Sequence, residues 1–192
     1  MRHWAVFTLV FVLSGCASTS TSGRGHITGT VNRAGVEKQV GSAAEQLNFM
    51  MPKGWRIAYQ AQHAGQGILE IVPAGETVRS WTRMITVQTF PDPQKYRAGP
   101  FIDGMGQLAK RVCVKTRLVP VITARQNGYK FSQKVLSCVR NRVPNIKETT
   151  DIKAIKGKQS FYVVQVAWKG NIAVREMRYW GYYMRDVTVS GR

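Results

Sequence analysis

The sequence predicts an α+β domain, with an antiparallel sheet and one or two helices packed on one face of it. Two observations predict the sheet: several segments alternate apolar and polar residues, and turn-forming residues stand between them. A third observation predicts the helices, because apolar residues recur at three- and four-residue intervals in a few places. Without its N-terminal segments the chain keeps the 157 residues of 36–192, which are enough for a single core.

The first half of this domain is expected to hold one helix followed by three strands. A modest apolar stripe of Ala43, Ala44 and Leu47 predicts a short helix over 36–46. An extended segment is expected at 47–51, and a Pro-Lys-Gly sequence at 52–54 predicts the turn that leads from it into the first of the three strands. The three strands are expected at 55–62, 66–75 and 84–90, with a proline-rich loop at 91–100.

The second half is expected to begin with a helix and to continue as strands. Apolar residues at intervals of four, three and four predict this helix over 101–115. Asn127-Gly128 favours a two-residue hairpin turn between two strands within 117–141. Further strands are expected at 148–157 and 160–170 with Lys158 in their turn, then a helix and a strand in the aromatic segment 171–190.

The N-terminus has the pattern of a secretory signal peptide over residues 1–15. A short basic region precedes an apolar run of ten residues at 4–13 that contains only Thr8 as a polar residue, a stretch too short to span a bilayer as a helix. Leu13-Ser14-Gly15-Cys16 follows and resembles the lipobox of bacterial lipoproteins. The resemblance implies that Cys16 carries a diacylglycerol on its thiol and becomes the first residue after cleavage. The alternative is a buried cysteine in an ordinary first helix.

Residues 16–35 are predicted to be a lipidated flexible tether, followed by a single domain over 36–192. The tether is rich in Ser, Thr and Gly without apolar periodicity, so it buries too little surface to become ordered. Ala17 follows the cysteine where an aspartate would signal retention, and by resemblance to enterobacterial lipoproteins this implies the outer membrane. We therefore expect the protein at the periplasmic face of the outer membrane, held by its acyl chains.

The remaining two cysteines, Cys113 and Cys138, are predicted to form a disulfide. An oxidising compartment and an even residual count favour a bridge. Their spacing is not that of a zinc site, and the chain contains no C-x-x-C redox pair. The alternative is two separate buried thiols.

The C-terminal half carries most of the positive charge. From residue 110 onward there are 18 Lys or Arg and four acids, within a formal net charge of +18 for the chain. A surface of this sign attracts anionic partners, although it also serves solubility alone. The residues predicted to form a basic docking face are Lys110, Arg111, Lys115, Arg117, Lys153, Lys156 and Lys158.

A second resemblance depends on three segments and their order. They are "LNFMMPKGW", then "GETVRSWTRM" and, after a helix, "FYVVQVAW". Their order resembles the PsbP and Mog1-like α/β/α sandwich superfamily, over about residues 45–170. The local motifs are similar to those of uncharacterised secreted bacterial proteins. Members of the superfamily are mostly binding or assembly factors, which implies a non-enzymatic role. The basic C-terminal half and its aromatic tail depart from that pattern.

The sequence contains no recognisable catalytic equipment. It has no G-x-S-x-G, H-E-x-x-H or P-loop motif, and its metal-ligating residues are too few for a site. Among the acids, Glu76 is expected to accept hydrogen bonds from backbone amides of a turn. His63 is expected to be a solvated turn residue. We predict no catalytic residue, no cofactor, no metal and no small-molecule substrate; the acids in mid-domain are Glu70, Glu76, Asp92 and Asp103.

Three functions follow from these features. The first is an accessory or structural lipoprotein whose basic face docks an acidic partner in an envelope assembly of the secretion or transport type. The second is a module that binds a polyanion, namely lipopolysaccharide, peptidoglycan or DNA. For DNA, Tyr129, Phe131 and Tyr162 are candidate stacking residues, although strand alternation favours core packing of the first two. The third function, an envelope hydrolase, is the weakest.

Overall fold

The structure, a computed structural model, describes residues 44–141 and 146–191, without the side chains of 140 and 141. Two helices and ten strands make up this part of the chain. The helices are α1 (Ala98–Val112), preceded by a 3-10 turn at Pro93–Lys95, and α2 (Val174–Asp186). The strands are β1 (Gln46–Asn48), β2 (Trp55–His63), β3 (Gln66–Pro73), β4 (Arg83–Pro91), β5 (Cys113–Leu118), β6 (Ile122–Gln126), β7 (Tyr129–Asn141), β8 (Glu148–Lys156), β9 (Ser160–Lys169) and β10 (Thr188–Ser190).

Eight of these strands form one antiparallel sheet in the order β2-β3-β4-β9-β8-β7-β5. The eighth, β6, also pairs with β7, because β7 has 13 residues and accommodates β6 along its first part and β5 along its second. Strands β1 and β10 form a separate antiparallel pair. The predicted α+β class with an antiparallel sheet is confirmed.

The two helices lie on opposite faces of the sheet, so the prediction that they share one face is wrong. Successive residues of a strand point to opposite faces. In β9, Phe161 packs in the cluster that contains Ile102 of α1, whereas Tyr162 packs in the cluster that contains Trp180 of α2. The central strands β8 and β9 are buried along nearly their whole length and need cover on both sides. This layer order agrees with an α/β/α sandwich, while membership of the PsbP and Mog1-like superfamily stays a prediction.

The sheet has two ends that differ in how they are closed. At the first, called the turn end, lie the β6–β7 turn, the β8–β9 turn and the β1–β10 pair; the Tyr129 hydroxyl donates to the Gly191 carbonyl there at 2.8 Å. At the other, called the disulfide end, Cys113 and Cys138 are bonded, with Cα atoms 5.6 Å apart. Helix α1 runs toward the disulfide end, and α2 runs back toward the turn end.

Most predicted elements form where the sequence places them, with exceptions near the start and after α1. The helix predicted over 101–115 ends at Val112, and its last predicted residues begin β5, a strand that the sequence did not predict. The turn at 52–54, the Asn127-Gly128 hairpin turn and the C-terminal helix followed by a strand are all present. The helix predicted over 36–46 lies mainly outside the described residues, and its last residues are not helical. Glu45 lies outside any helix, and Gln46 begins β1.

Candidate docking surfaces

The seven cations that were predicted to form one docking face are spread over the domain. The prediction of a single docking face is therefore wrong. Lys115 lies opposite Arg140, and Lys156 lies opposite Lys130, near the two ends of β7. The ten residues that separate these two positions in β7 span about 33 Å of extended chain. Lys110, Arg111, Lys115 and Arg117 belong to the disulfide end, and Lys156 and Lys158 belong to the turn end. Lys153 lies toward the turn end but inside the domain.

Lys153 is buried, with 1% of its surface exposed, and is removed from any docking face. Its ammonium donates hydrogen bonds to the carbonyl of Met184 at 3.0 Å, the carbonyl of Val187 at 2.6 Å and Oε1 of Gln126 at 2.8 Å. It also lies 4.5 Å from the ring centre of Phe131. Sequence pattern did not reveal this role, because a lysine in a strand ordinarily faces solvent.

The partners of Lys153 explain why a cation is tolerated there. The last carbonyls of an α-helix have no partner within the helix and carry the negative end of its dipole. Lys153 therefore closes the C-terminus of α2 on the sheet. Desolvation lowers the pKa of Lys153 to about 8, opposed by the nearby carboxylates of Asp151 and Asp186.

Asp151 is a second buried charge on the same face of β8 as Lys153. Both of its carboxylate oxygens accept hydrogen bonds from the side-chain amide of Gln133 at 3.0 Å. Burial raises the pKa of Asp151 to about 6, while the Gln133 hydrogen bonds and the charge of Lys153 act in the opposite direction. Gln133, Asp151 and Lys153 thus interact with one another, and Lys153 also binds the end of α2. They form a structural network.

The disulfide end keeps an exposed cationic surface. Lys110, Lys115 and Arg117 are exposed, and Arg111 is exposed while it also interacts with another residue. The bond between Cys113 and Cys138 fixes the end of α1 to β7 and so holds this surface on a rigid edge.

Glu148 is a buried acid at the disulfide end, between Cys138 and Lys169 in neighbouring strands. One of its carboxylate oxygens has no hydrogen-bond partner among the described residues. Burial raises the pKa of Glu148 to about 8, with the charge of Lys169 acting in the opposite direction. Lys169 in turn lies over the ring of Trp81 at 3.9 Å from its centre. Burial therefore favours the neutral form of Glu148.

The turn end is closed by Glu45, a residue that sequence reasoning did not single out. Its carboxylate accepts hydrogen bonds from the backbone amides of Gln159 and Ser160, each at 3.1 Å, from the amide of Lys158 and from the Tyr162 hydroxyl. Gly157 leaves the space for it, because a side chain there would collide with the Glu45 carboxylate. The chain therefore enters the domain at the turn end.

A row of three cations lies beside this turn. Arg125 is opposite Lys130, and Lys130 is opposite Lys156, so the three side chains follow one another across β6, β7 and β8 on the α1 face. The Arg125 guanidinium donates to the Gly128 carbonyl at 2.9 Å, and the Lys156 ammonium donates to Gln94 at 3.0 Å. Among the residues that the structure describes, none of the three forms an ion pair.

The C-terminal aromatic residues divide between the core and the surface. Trp180 and Tyr183 are buried against the sheet, so this segment packs on its own domain. Tyr179 and Tyr182 are half-exposed on the outer side of α2. Tyr129 and Tyr162 are buried in the same core, so the structure leaves neither ring accessible for base stacking.

The acids considered for catalysis do not converge on one site. Glu76 accepts hydrogen bonds from the amide and the hydroxyl of Thr82, each at 2.6 Å, as expected of a turn acceptor. Asp92 pairs with Lys95, and Asp103 pairs with Lys134. Glu70 is buried in β3, and His63 is exposed in the β2–β3 hairpin.

Within residues 44–141 and 146–191, no three side chains of His, Cys, Asp or Glu gather as they would around a metal ion. None of the helices in this part of the chain has the length and apolarity to cross a membrane. The chain matches no protein-family model and no curated protein.

Proposed function

We propose that this protein is a non-enzymatic lipoprotein, anchored through Cys16 at the periplasmic face of the outer membrane. In this proposal residues 1–15 are a signal peptide and residues 16–35 belong to a flexible tether. The observation that carries it is the apolar run that ends in Leu13-Ser14-Gly15-Cys16. The bond between Cys113 and Cys138 supports it, because disulfides persist in oxidising compartments such as the periplasm.

The domain would act as an accessory component of an envelope assembly of the secretion or transport type. Its docking surface would be the disulfide-end cations, Lys110, Arg111, Lys115 and Arg117, and its partner an acidic protein. This docking surface is supported by two observations. These cations are exposed, and they lie at the end of the sheet opposite to Glu45, where the chain enters the domain. A domain tethered at the turn end would present these cations away from the membrane.

The mass of the native protein tests the anchor. We expect a chain that begins at Cys16 and carries acyl groups, released from membranes only by detergent. An unmodified thiol in a chain that still contains residues 1–15 would overturn the proposed compartment.

Crosslinking in membranes followed by purification and mass spectrometry tests the partner. We expect one acidic protein in stoichiometric yield, reduced about tenfold by Lys110→Gln, Lys115→Gln and Arg117→Gln together, because rim charges govern association. The matched control is Arg125→Gln, Lys130→Gln and Lys156→Gln, which removes the same charge at the turn end and should retain the partner. Equal yield from both variants would exclude the disulfide-end cations as the docking surface.

A further inference from the structure

The cationic row at the turn end is costly for folding. Residues directly opposite on neighbouring antiparallel strands have Cβ atoms about 5 Å apart, and like charges in such positions destabilise a sheet. Arg125, Lys130 and Lys156 occupy three such positions in succession. Across the described residues no carboxylate comes close enough to form an ion pair with any of them. An arrangement that folding does not favour indicates a ligand of negative charge.

Neighbouring groups increase the positive potential at this place. Lys158 is exposed in the β8–β9 turn, two residues after Lys156. Helix α1 begins at Ala98 after the exposed Arg97, with no acidic residue in its first turn and no side-chain cap. Gly99 of that turn faces Ser132 of β7, so the positive end of the helix dipole lies close to the row.

The entry of the chain decides which anion the row meets. The described part starts at Ala44, and Glu45 is bound to the turn that contains Lys158. The 20 residues of the proposed tether, 16–35, would span, as a flexible coil, about 25 Å on average. An anchor at Cys16 therefore keeps the turn end close to a bilayer surface, whose lipid phosphates are the nearest fixed anions.

We propose that Arg125, Lys130, Lys156 and Lys158 form a docking surface for anionic phospholipid headgroups. This inference rests on the proposed lipid anchor. The surface turns a flexible attachment into an oriented one, with the turn end on the membrane. The disulfide end then lies about 33 Å away, several times the Debye length of about 8 Å at physiological salt.

Vesicle sedimentation tests this surface without the acyl chains. The chain from residue 16 to 192, with Cys16→Ser, is mixed with vesicles of phosphatidylethanolamine that contain 30 mol% phosphatidylglycerol, on the order of the charge of a bacterial membrane. Binding should be salt-sensitive and absent on phosphatidylcholine vesicles. Arg125→Gln, Lys130→Gln and Lys156→Gln together should weaken binding about a hundredfold, since each basic residue near the surface contributes about fivefold.

Two controls make the test specific. Lys110→Gln, Lys115→Gln and Arg117→Gln remove the same charge at the disulfide end and should change vesicle affinity less than threefold. Replacing the row by Arg125→Lys, Lys130→Arg and Lys156→Arg should retain binding. Equal weakening by both glutamine variants would mean attraction by net charge alone and would overturn the proposal.

The source of the phosphate and the fold of the variants are checked in the same series. Inorganic phosphate at constant ionic strength should displace little protein, and full displacement would assign the row to a free anion instead.

Thermal unfolding of the glutamine variant of the row should occur at the wild-type temperature or above it, because a repulsion is removed. A lower temperature would mean that the row serves the fold. Failure of vesicle binding leaves the mass of the native Cys16 untouched, so the two proposals fail separately.

Discussion

The turn end and the disulfide end of the sheet are closed by different chemistry. At the turn end, the Glu45 carboxylate accepts hydrogen bonds from several backbone amides, and the Lys153 ammonium donates hydrogen bonds to backbone carbonyls. In both cases the backbone groups are distant in sequence. At the disulfide end, the main link is the covalent bond between Cys113 and Cys138, and the buried Glu148 beside it is only partly satisfied. The difference shows that the turn end depends on charged side chains that bind backbone groups, whereas the disulfide end depends on redox state and on the protonation of Glu148.

Removal of the disulfide is expected to have the largest effect on stability. Cys113→Ala with Cys138→Ala should lower the free energy of unfolding by about 3–4 kcal/mol, because a loop of this length is no longer closed in the unfolded chain. Urea denaturation measures this loss. Wild-type protein in a thiol reductant should match the variant; reduction without any loss would mean that the bond does not close this end.

The protonation of Glu148 is expected to have the next largest effect. Its folded pKa is about 8, above the ordinary value of 4.5, so its stabilising contribution is complete below pH 4.5 and is lost as the pH rises toward 8. Glu148→Gln should therefore remove a fall of about 3 kcal/mol in the free energy of unfolding between pH 5 and pH 8. Asp92→Asn, at an exposed carboxylate, is the control and should retain the wild-type fall. If Glu148→Gln retains it as well, Glu148 is ionised in the fold.

Loss of the Lys153 ammonium, which binds the C-terminus of α2, is expected to have the third largest effect. Lys153→Met should lower the free energy of unfolding by about 2–3 kcal/mol, because it leaves the carbonyls of Met184 and Val187 buried without donors. Lys156→Met makes the same chemical change three residues later on the surface and should cost less than about 0.5 kcal/mol. Equal losses in urea denaturation would contradict the assignment of Lys153 to α2.

Glu45 gives the smallest and most local effect. Glu45→Gln should cost about 2 kcal/mol, because it removes the charge that the amides of the β8–β9 turn bind. Hydrogen exchange should show lost protection at Lys158, Gln159 and Ser160, with the amides near Cys138 unchanged. A loss spread over both ends of the sheet would mean that the two ends do not behave independently.

The sequence predicted the class of the fold, the hairpin at Asn127-Gly128 and the disulfide pairing. Those features depend on local pattern and on counting, which a single sequence contains. The placement of α1 and α2 on opposite faces was missed, because β9 reads only as an apolar run, whereas β8 contains Thr, Asp and Lys and reads as a strand with one face in solvent. It takes the strand order to show that these strands lie at the centre of the sheet.

The candidate surfaces were predictable only in part. The exposed lysines and arginines of α1 and β5 were identified from charge alone, and they lie together at the disulfide end. Lys153 was misplaced, since its partners in α2 lie more than 30 residues away along the chain. Arg125 and Lys130 were overlooked because their relation to Lys156 comes from strand register, a tertiary property.

The pairing of β1 with β10 has a mechanical consequence. Tension applied through residue 44 is met first by Glu45, whose carboxylate is bound to the β8–β9 turn and to Tyr162 of β9, and then by the rung between Gln46 and Ser190. Antiparallel rungs loaded from one end break one after another, so this pair would yield at low force. Once the Glu45 hydrogen bonds have broken, this pair would open before the strands of the large sheet separate.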